Sequence, residues 1–262
     1  MRGFYAVALL ACLPLLGEEA RTNKVYQTEW DNVLPQVADG GGWSTRIWLV
    51  NMGDVEAKFN LWFYKDDGGA WNITLKDNPQ ASNVWRGSIP IGGSLFLETA
   101  KTDPATTSQG WAYLETTSWI SGAGLFKADW MDPQAGRQMY AEGVVPLAPE
   151  NDIDFFIPFD NRNGYVTSVA LANSYLTETA TLKVQFRNPD GTIIRDDTFP
   201  LGPLQHMAFS TTERYPETLG KNGVIEFTET GGKAGASALG LLFSPRGTFT
   251  SVHPVSIDPH YF

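Results

Sequence analysis

The chain of 262 residues holds one cysteine, Cys12. A lone thiol excludes an internal disulfide and any zinc site built on cysteine pairs. Clean helical periodicity is also missing. No stretch of three or four turns repeats its apolar residues every 3.6 positions, which excludes a helix bundle. Positive charge is scarce, with Lys+Arg 19 against Asp+Glu 29 and a formal net charge of −10. No basic cluster offsets this, so nucleic acid is excluded as a partner. Long apolar runs are absent except at the start, "MRGFYAVALLACLPLLGEEA". Its run of about 13 residues is short for a membrane span, which needs roughly 20. Arg2 before the run and Gly17 to Ala20 after it fit an export signal over residues 1–20. "LLAC" only loosely matches a lipid-attachment box, because the apolar run continues past Cys12. The expected mature chain therefore lacks cysteine and a transmembrane span. It fits a secreted protein, or one of the periplasm or cell envelope of a bacterium.

What the chain does have is Gly 26, Pro 16 and 13% aromatic residues. These favour short strands and turns. They are also arranged twice. "WSTRIWLVN" (43–51) lies over "YVTSVALAN" (165–173), which aligns Thr45 with Thr167 and Asn51 with Asn173. "FNLWFYKDDGG" (59–69) lies over "LKVQFRNPDGT" (182–192), and "IPIGG" (89–93) over "FPLGP" (199–203). "QGWAYLETT" (109–117) lies over "NGVIEFTET" (222–230), and "AGLF" (123–126) over "GLLF" (240–243). Copy 1 carries extra residues at 77–86. An internal repeat of short strands with hairpin-type turns predicts an all-β fold, two tandem Ig-like antiparallel β-sandwiches. The expected divisions are repeat 1 over 28–128, a linker over 129–150, repeat 2 over 151–254 and a tail over 255–262.

"GGGWSTRIWLVN" (40–51) tests a nucleotide-binding alternative. A phosphate loop needs a helix after its glycines, whereas this run feeds a β-branched, alternating segment. Copy 2 has "NRNG" there. The glycines read as a turn.

Positions apolar in both copies are the expected core: Ile47/Val169, Leu49/Leu171, Phe59/Leu182, Leu61/Val184, Phe63/Phe186, Ala112/Ile225 and Leu114/Phe227. The opposite faces diverge. Copy 1 carries Trp48, Trp62, Tyr64 and Tyr113 where copy 2 carries Ala170, Gln185, Arg187 and Glu226. If strands 44–51 and 58–65 pair as a hairpin, Trp48, Trp62 and Tyr64 share a sheet face. Such a face is either covered by the protein's own chain, or a ligand platform, or a contact between copies.

Catalytic patterns are sparse. "GASALG" (235–240) lacks the spacing of a serine nucleophile elbow. His206 sits in an expected strand and reads as structural, and His253 and His260 match no metal spacing. Glu98, Glu115, Glu142 and Glu226 are scattered carboxylates without a glycosidase signature. Asp152, Asp154 and Asp160 lack a calcium-loop spacing. No catalytic residue, metal or cofactor is expected.

"LPQVADGGGWSTRIWLVN", "IPIGGSLFLETA" and "QGWAYLE" in copy 1, with "IPFDNRNGYVTSVALAN" and "SALGLLFSPRGTFTSVHP" in copy 2, resemble uncharacterised secreted bacterial proteins built from paired Ig-like repeats. The resemblance implies an exported all-β tandem and carries no functional residues. The expectation is a non-catalytic interaction, adhesion or scaffold protein whose partner is a polysaccharide or another envelope protein. The alternative is a carbohydrate-binding module using Trp48, Trp62, Tyr64 and Tyr113.

Overall fold

Segments that alternate and are bounded by turn residues form strands throughout. The computed structural model describes residues 31–132, 137–149, 154–231 and 236–256, and it is 65% strand and 3% helix. The signal segment, Cys12, Asp152 and His260 lie outside the described residues.

The first half contains β1 (Asn32–Asp39), β2 (Trp43–Asn51), β3 (Ala57–Lys65), β4 (Ile73–Leu75), β5 (Asn78–Ser82), β6 (Val84–Ile89), β7 (Ser94–Glu98), β8 (Ser108–Thr116), β9 (Ile120–Asp132), β10 (Arg137–Pro146) and β11 (Ala148–Pro149). They build an antiparallel sheet ordered β11-β1-β8-β3-β6 and a second ordered β10-β9-β2-β7, while β4 and β5 form a ribbon. β5 lies within the insertion of copy 1 and β4 just before it, and β4 adds Ile73 and Leu75 to the core.

The second half contains β12 (Asp154–Asp160), β13 (Val166–Ala172), β14 (Ala180–Arg187), β15 (Ile193–Leu201), β16 (His206–Ser210), α1 (Thr211–Arg214), a 3-10 turn (Pro216–Thr218), β17 (Asn222–Glu229), β18 (Ser237–Phe243), β19 (Phe249–Val252) and β20 (Val255–Ser256). Its sheets run β20-β12-β17-β14-β15 and β19-β18-β13-β16. This repeats the strand order of the first half's two main sheets, while the β4–β5 ribbon has no counterpart here. The order differs from an immunoglobulin domain, in which the first and second strands share a sheet. Here β1 joins β8, β3 and β6, while β2 joins β9 and β7.

Each pair of sheets encloses its own core, and every paired apolar position named from the repeat is buried there. The repeated polar residues are explained equally well. The Thr45 hydroxyl donates to the Ala38 carbonyl (3.0 Å) and accepts from the Ala38 N–H (2.9 Å). Thr167 makes the same pair with Asp160, at 3.4 and 2.9 Å. The Asn51 amide donates to the carbonyls of Val55 (2.7 Å) and Ile89 (2.9 Å). Asn173 donates to Glu178, Leu201 and Gly202 at 2.8, 3.0 and 3.0 Å. Each asparagine ties the end of β2 or β13 to the segment leading into β3 or β14 and to the end of β6 or β15 in the other sheet.

That crossing overturns the expected hairpin of strands 44–51 and 58–65. β2 pairs with β7 and β9, and β3 pairs with β6 and β8. Adjacent strands usually pair, but here the five residues after Asn51 pass between layers. Two repeat alignments also shift. Ile47 pairs with Gly124 and Val169 with Gly240, so residues 123–126 correspond to 239–242 rather than 240–243. A slip of one residue exchanges the faces of a strand. Likewise Ile89 corresponds to Leu201, since they pair with Ala57 and Ala180.

The expected linker over 129–150 is instead largely strand. β10 pairs with β9 along its whole length. Its inward residues are Ala141, Gly143 and Val145, and its outward ones include Glu142 and Val144. Small residues inside and a valine outside hide the alternation from a hydropathy reading. The tail expected from 255 begins as β20, paired with β12. The glycine run is a turn between β1 and β2, with φ of 79°, 56° and 92° at Gly40, Gly41 and Gly42.

If the asparagine corners hold the layers together, Asn51→Ala and Asn173→Ala each lower stability by about 2 kcal/mol by orphaning buried carbonyls. Urea unfolding measures this, and a loss below about 0.5 kcal/mol at both sites contradicts the role.

Candidate functional site: the seam between the sandwiches

Strand alternation on β3 and β8 places Trp62, Tyr64, Trp111 and Tyr113 on the outer face of the first five-stranded sheet. Trp62 pairs with Tyr113 and Tyr64 with Trp111, and the Tyr64 and Trp111 rings stack with centroids 4.8 Å apart. This face is covered. Trp62 is 3% exposed, Tyr64 4%, and Trp111 and Tyr113 0%. Ala172 and Leu204 of the second half pack into the same cluster. The Trp111 indole N–H donates to the Leu204 carbonyl at 2.8 Å. Trp48 lies elsewhere, on the outer face of the four-stranded sheet, edge-on to Phe96 with centroids 5.8 Å apart. The four aromatics expected as one platform are therefore three buried rings and one on a different sheet, because β2 and β3 belong to different layers.

At the equivalent positions of the second sandwich the face is polar. Arg187 donates to Glu226 (2.8 Å) and Gln185 (2.5 Å), and Gln185 donates to Asp196 (3.0 Å). The divergence between copies now has a cause: one face is an internal interface and the other is an ion-paired surface.

A second cluster extends the seam. Phe126 and Ala128 on β9 and Ala141 and Val145 on β10 pack with Ala170, Leu239 and Phe249. A Cβ on Gly143 would sit 2.7 Å from the Phe249 ring. Close approach of Phe249 therefore requires the missing side chain.

Polar ties pin the register. His206, with no exposed side-chain surface, bonds through Nδ1 to Asp66 Oδ1 at 2.8 Å. Its backbone N–H donates to the Asp66 carbonyl at 3.1 Å. Gln109 donates to the other Asp66 oxygen at 3.0 Å. Burial acts to raise the Asp66 pKa, but the bonds from His206 and Gln109 outweigh it and hold the carboxyl below its ordinary value.

Between the two halves the seam opens into a cleft of about 270 Å³. Trp43, Phe126, Phe209 and Phe243 supply apolar walls, and Gln36, Thr107 and Ser168 supply polar groups. A smaller recess of about 210 Å³ adjoins it, sharing Trp43 and Phe243. Gln36 reaches the cleft from a bulge in β1, where Pro35 and Gln36 interrupt pairing between Leu34 and Val37. A bulge of this kind re-aims a side chain and suits a proline.

The carboxylates considered from the sequence do not face one another across this cleft. Glu98 is surrounded by Arg46, Lys76 and Lys127. Burial acts to raise its pKa, but the bonds from Lys76 and Arg46 prevail and bring it down to about 2. Glu115 is buried and accepts from Asn60 (2.8 Å) and Trp62 (3.3 Å). Glu142 bonds to the Tyr140 hydroxyl, and Asp160 is paired with Arg162 at 2.8 Å. Among the described residues no group of three or more His, Cys, Asp or Glu is placed to hold a metal. No helix of the described residues is long and apolar enough to cross a membrane.

No family model, curated protein or solved structure matches the chain.

Trp111, Asp66 and Leu204 were missed from the sequence. Trp111 was legible, since it alternates with Tyr113. Leu204, at φ 57° in a turn, gave no signal.

Two outcomes follow from the seam. Trp111→Ala costs about 3–5 kcal/mol and Trp111→Phe about 1 kcal/mol through the lost bond, both read by denaturant unfolding. Because the Asp66 pKa is depressed on folding, its contribution is full above the ordinary carboxylate value of 3.8 and lost as pH falls through the lower folded value. The stability advantage of the native chain over Asp66→Asn therefore shrinks as the pH falls below about 5. An advantage that grows on acidification contradicts the tie.

Proposed function

We propose that the chain is a non-catalytic interaction, adhesion or scaffold protein acting outside the cytoplasm, in the secreted fraction or cell envelope of a bacterium. The observation that carries this reading is the use of the aromatic face. Rings that could have formed an open platform are spent in locking one sandwich to the other. A rigid two-sandwich body presenting fixed outer surfaces suits recognition or mechanical linkage. Glu98, Glu115, Asp160 and Glu226 are engaged in ion pairs and hydrogen bonds, and His206 is tied through Nδ1 to Asp66, which supports a role without turnover. The apolar N-terminal segment after Arg2 supports export.

The alternative based on a platform of Trp48, Trp62, Tyr64 and Tyr113 loses its support, since a sugar cannot stack on rings that are already covered.

Expression of the full chain in a bacterial host, followed by fractionation and N-terminal sequencing, tests the setting. The expected product is extracytoplasmic and begins between residues 18 and 21. Full-length protein confined to the cytoplasm contradicts it.

A further inference from the structure

We infer that the cleft between the sandwiches is a binding site for an uncharged saccharide, held between Trp43 and the amide of Gln36. The inference rests on the reading of the chain as a non-catalytic binding protein and gives that reading a site.

The first ground is charge. The protein carries −10 overall, yet among the described residues no charged side chain lines this cleft. A charged ligand would enter without a counter-charge, so the occupant is neutral. The second ground is an unspent acceptor. Gln36 Oε1 is buried and has no hydrogen-bond partner. Such an orphaned acceptor destabilises the folded chain; Gln36 lines the cleft, and rotation of its amide brings the covered oxygen out to a ligand that supplies a donor. The Thr107 and Ser168 hydroxyls on the same cleft offer further donors and acceptors. The third ground is the floor. Trp43, Phe209 and Phe243 present apolar ring surface. A sugar ring has both a C–H face for such rings and hydroxyls for Gln36, whereas a purely apolar ligand would leave the amide unpaired. The volume, about 270 Å³, lies just below the roughly 300–1,000 Å³ range of drug-sized ligand sites, which suits one sugar unit of a short oligosaccharide. The position between two domains is also where such sites concentrate.

The geometry of the bulge strengthens the assignment. A regular β1 would keep its alternation and pair opposite Trp111. The extra residue instead turns a glutamine, rather than an apolar residue, toward the cleft wall. A seam built for stability alone would carry leucine there.

The test uses the full chain against an array of neutral gluco-, manno-, galacto- and xylo-oligosaccharides, with hits titrated by calorimetry. One oligosaccharide binds with 1:1 stoichiometry. Gln36→Leu weakens it about tenfold or more, while the thermal midpoint is unchanged or higher, an outcome that a merely structural glutamine would not give. Trp43→Ala weakens it too, and Phe96→Ala, outside the cleft, does not. Absence of binding to every neutral sugar overturns the inference, as does Gln36→Leu binding as well as the native chain, or preference for an alkyl-chain fluorescent probe. Recovery of cleaved sugar from a Gln36-dependent complex would uphold the site and overturn the non-catalytic reading.

Discussion

Everything in this molecule depends on covering one sheet face. Trp62, Tyr64, Trp111 and Tyr113 stand together on the outside of the first five-stranded sheet, and all are buried. Burying a large apolar side chain is worth roughly 1.5–3 kcal/mol, so leaving these rings open would forfeit much of a domain's net stability and create a sticky patch. The second sandwich contributes Ala172 and Leu204 to that cover, and the hairpin of β9 and β10 reaches across to Phe249. Each half has its own core, but the first half is complete only with the second in place.

The same strand order is thus used for two purposes. Inner faces correspond position by position, because both copies solve the same packing problem. Outer faces do not, because one receives a neighbour and the other meets water. Where the first sandwich has Trp62, Tyr64 and Tyr113, the second has the bonded set Gln185, Arg187 and Glu226. The seam's polar ties, Asp66 with His206 and Trp111 with Leu204, fix the angle at which the two halves meet. An incompletely filled region of that seam leaves the cleft on which Gln36 sits.

Much of this architecture was legible in the residues. The paired apolar positions, the turn glycines and the repeated Thr45/Thr167 and Asn51/Asn173 all carried local signals that the structure explains. Pairing partners were not legible. Nothing in "NMGDVEA" distinguishes a hairpin from a crossing between layers, so Trp48 was grouped with rings on another sheet. β10 was hidden because its buried positions are small, a consequence of Phe249 lying against Gly143. The cleft was invisible for a related reason. Its walls come from both halves, and only the packing of one sandwich on the other brings Gln36 to Ser168.

Differential scanning calorimetry of the chain tests the central claim most directly. Two sandwiches locked by a shared aromatic face unfold in one transition, with calorimetric and van't Hoff enthalpies equal. Two resolved transitions, each with the enthalpy of a half, would show that the sandwiches are independent beads and that the covered face does not couple them.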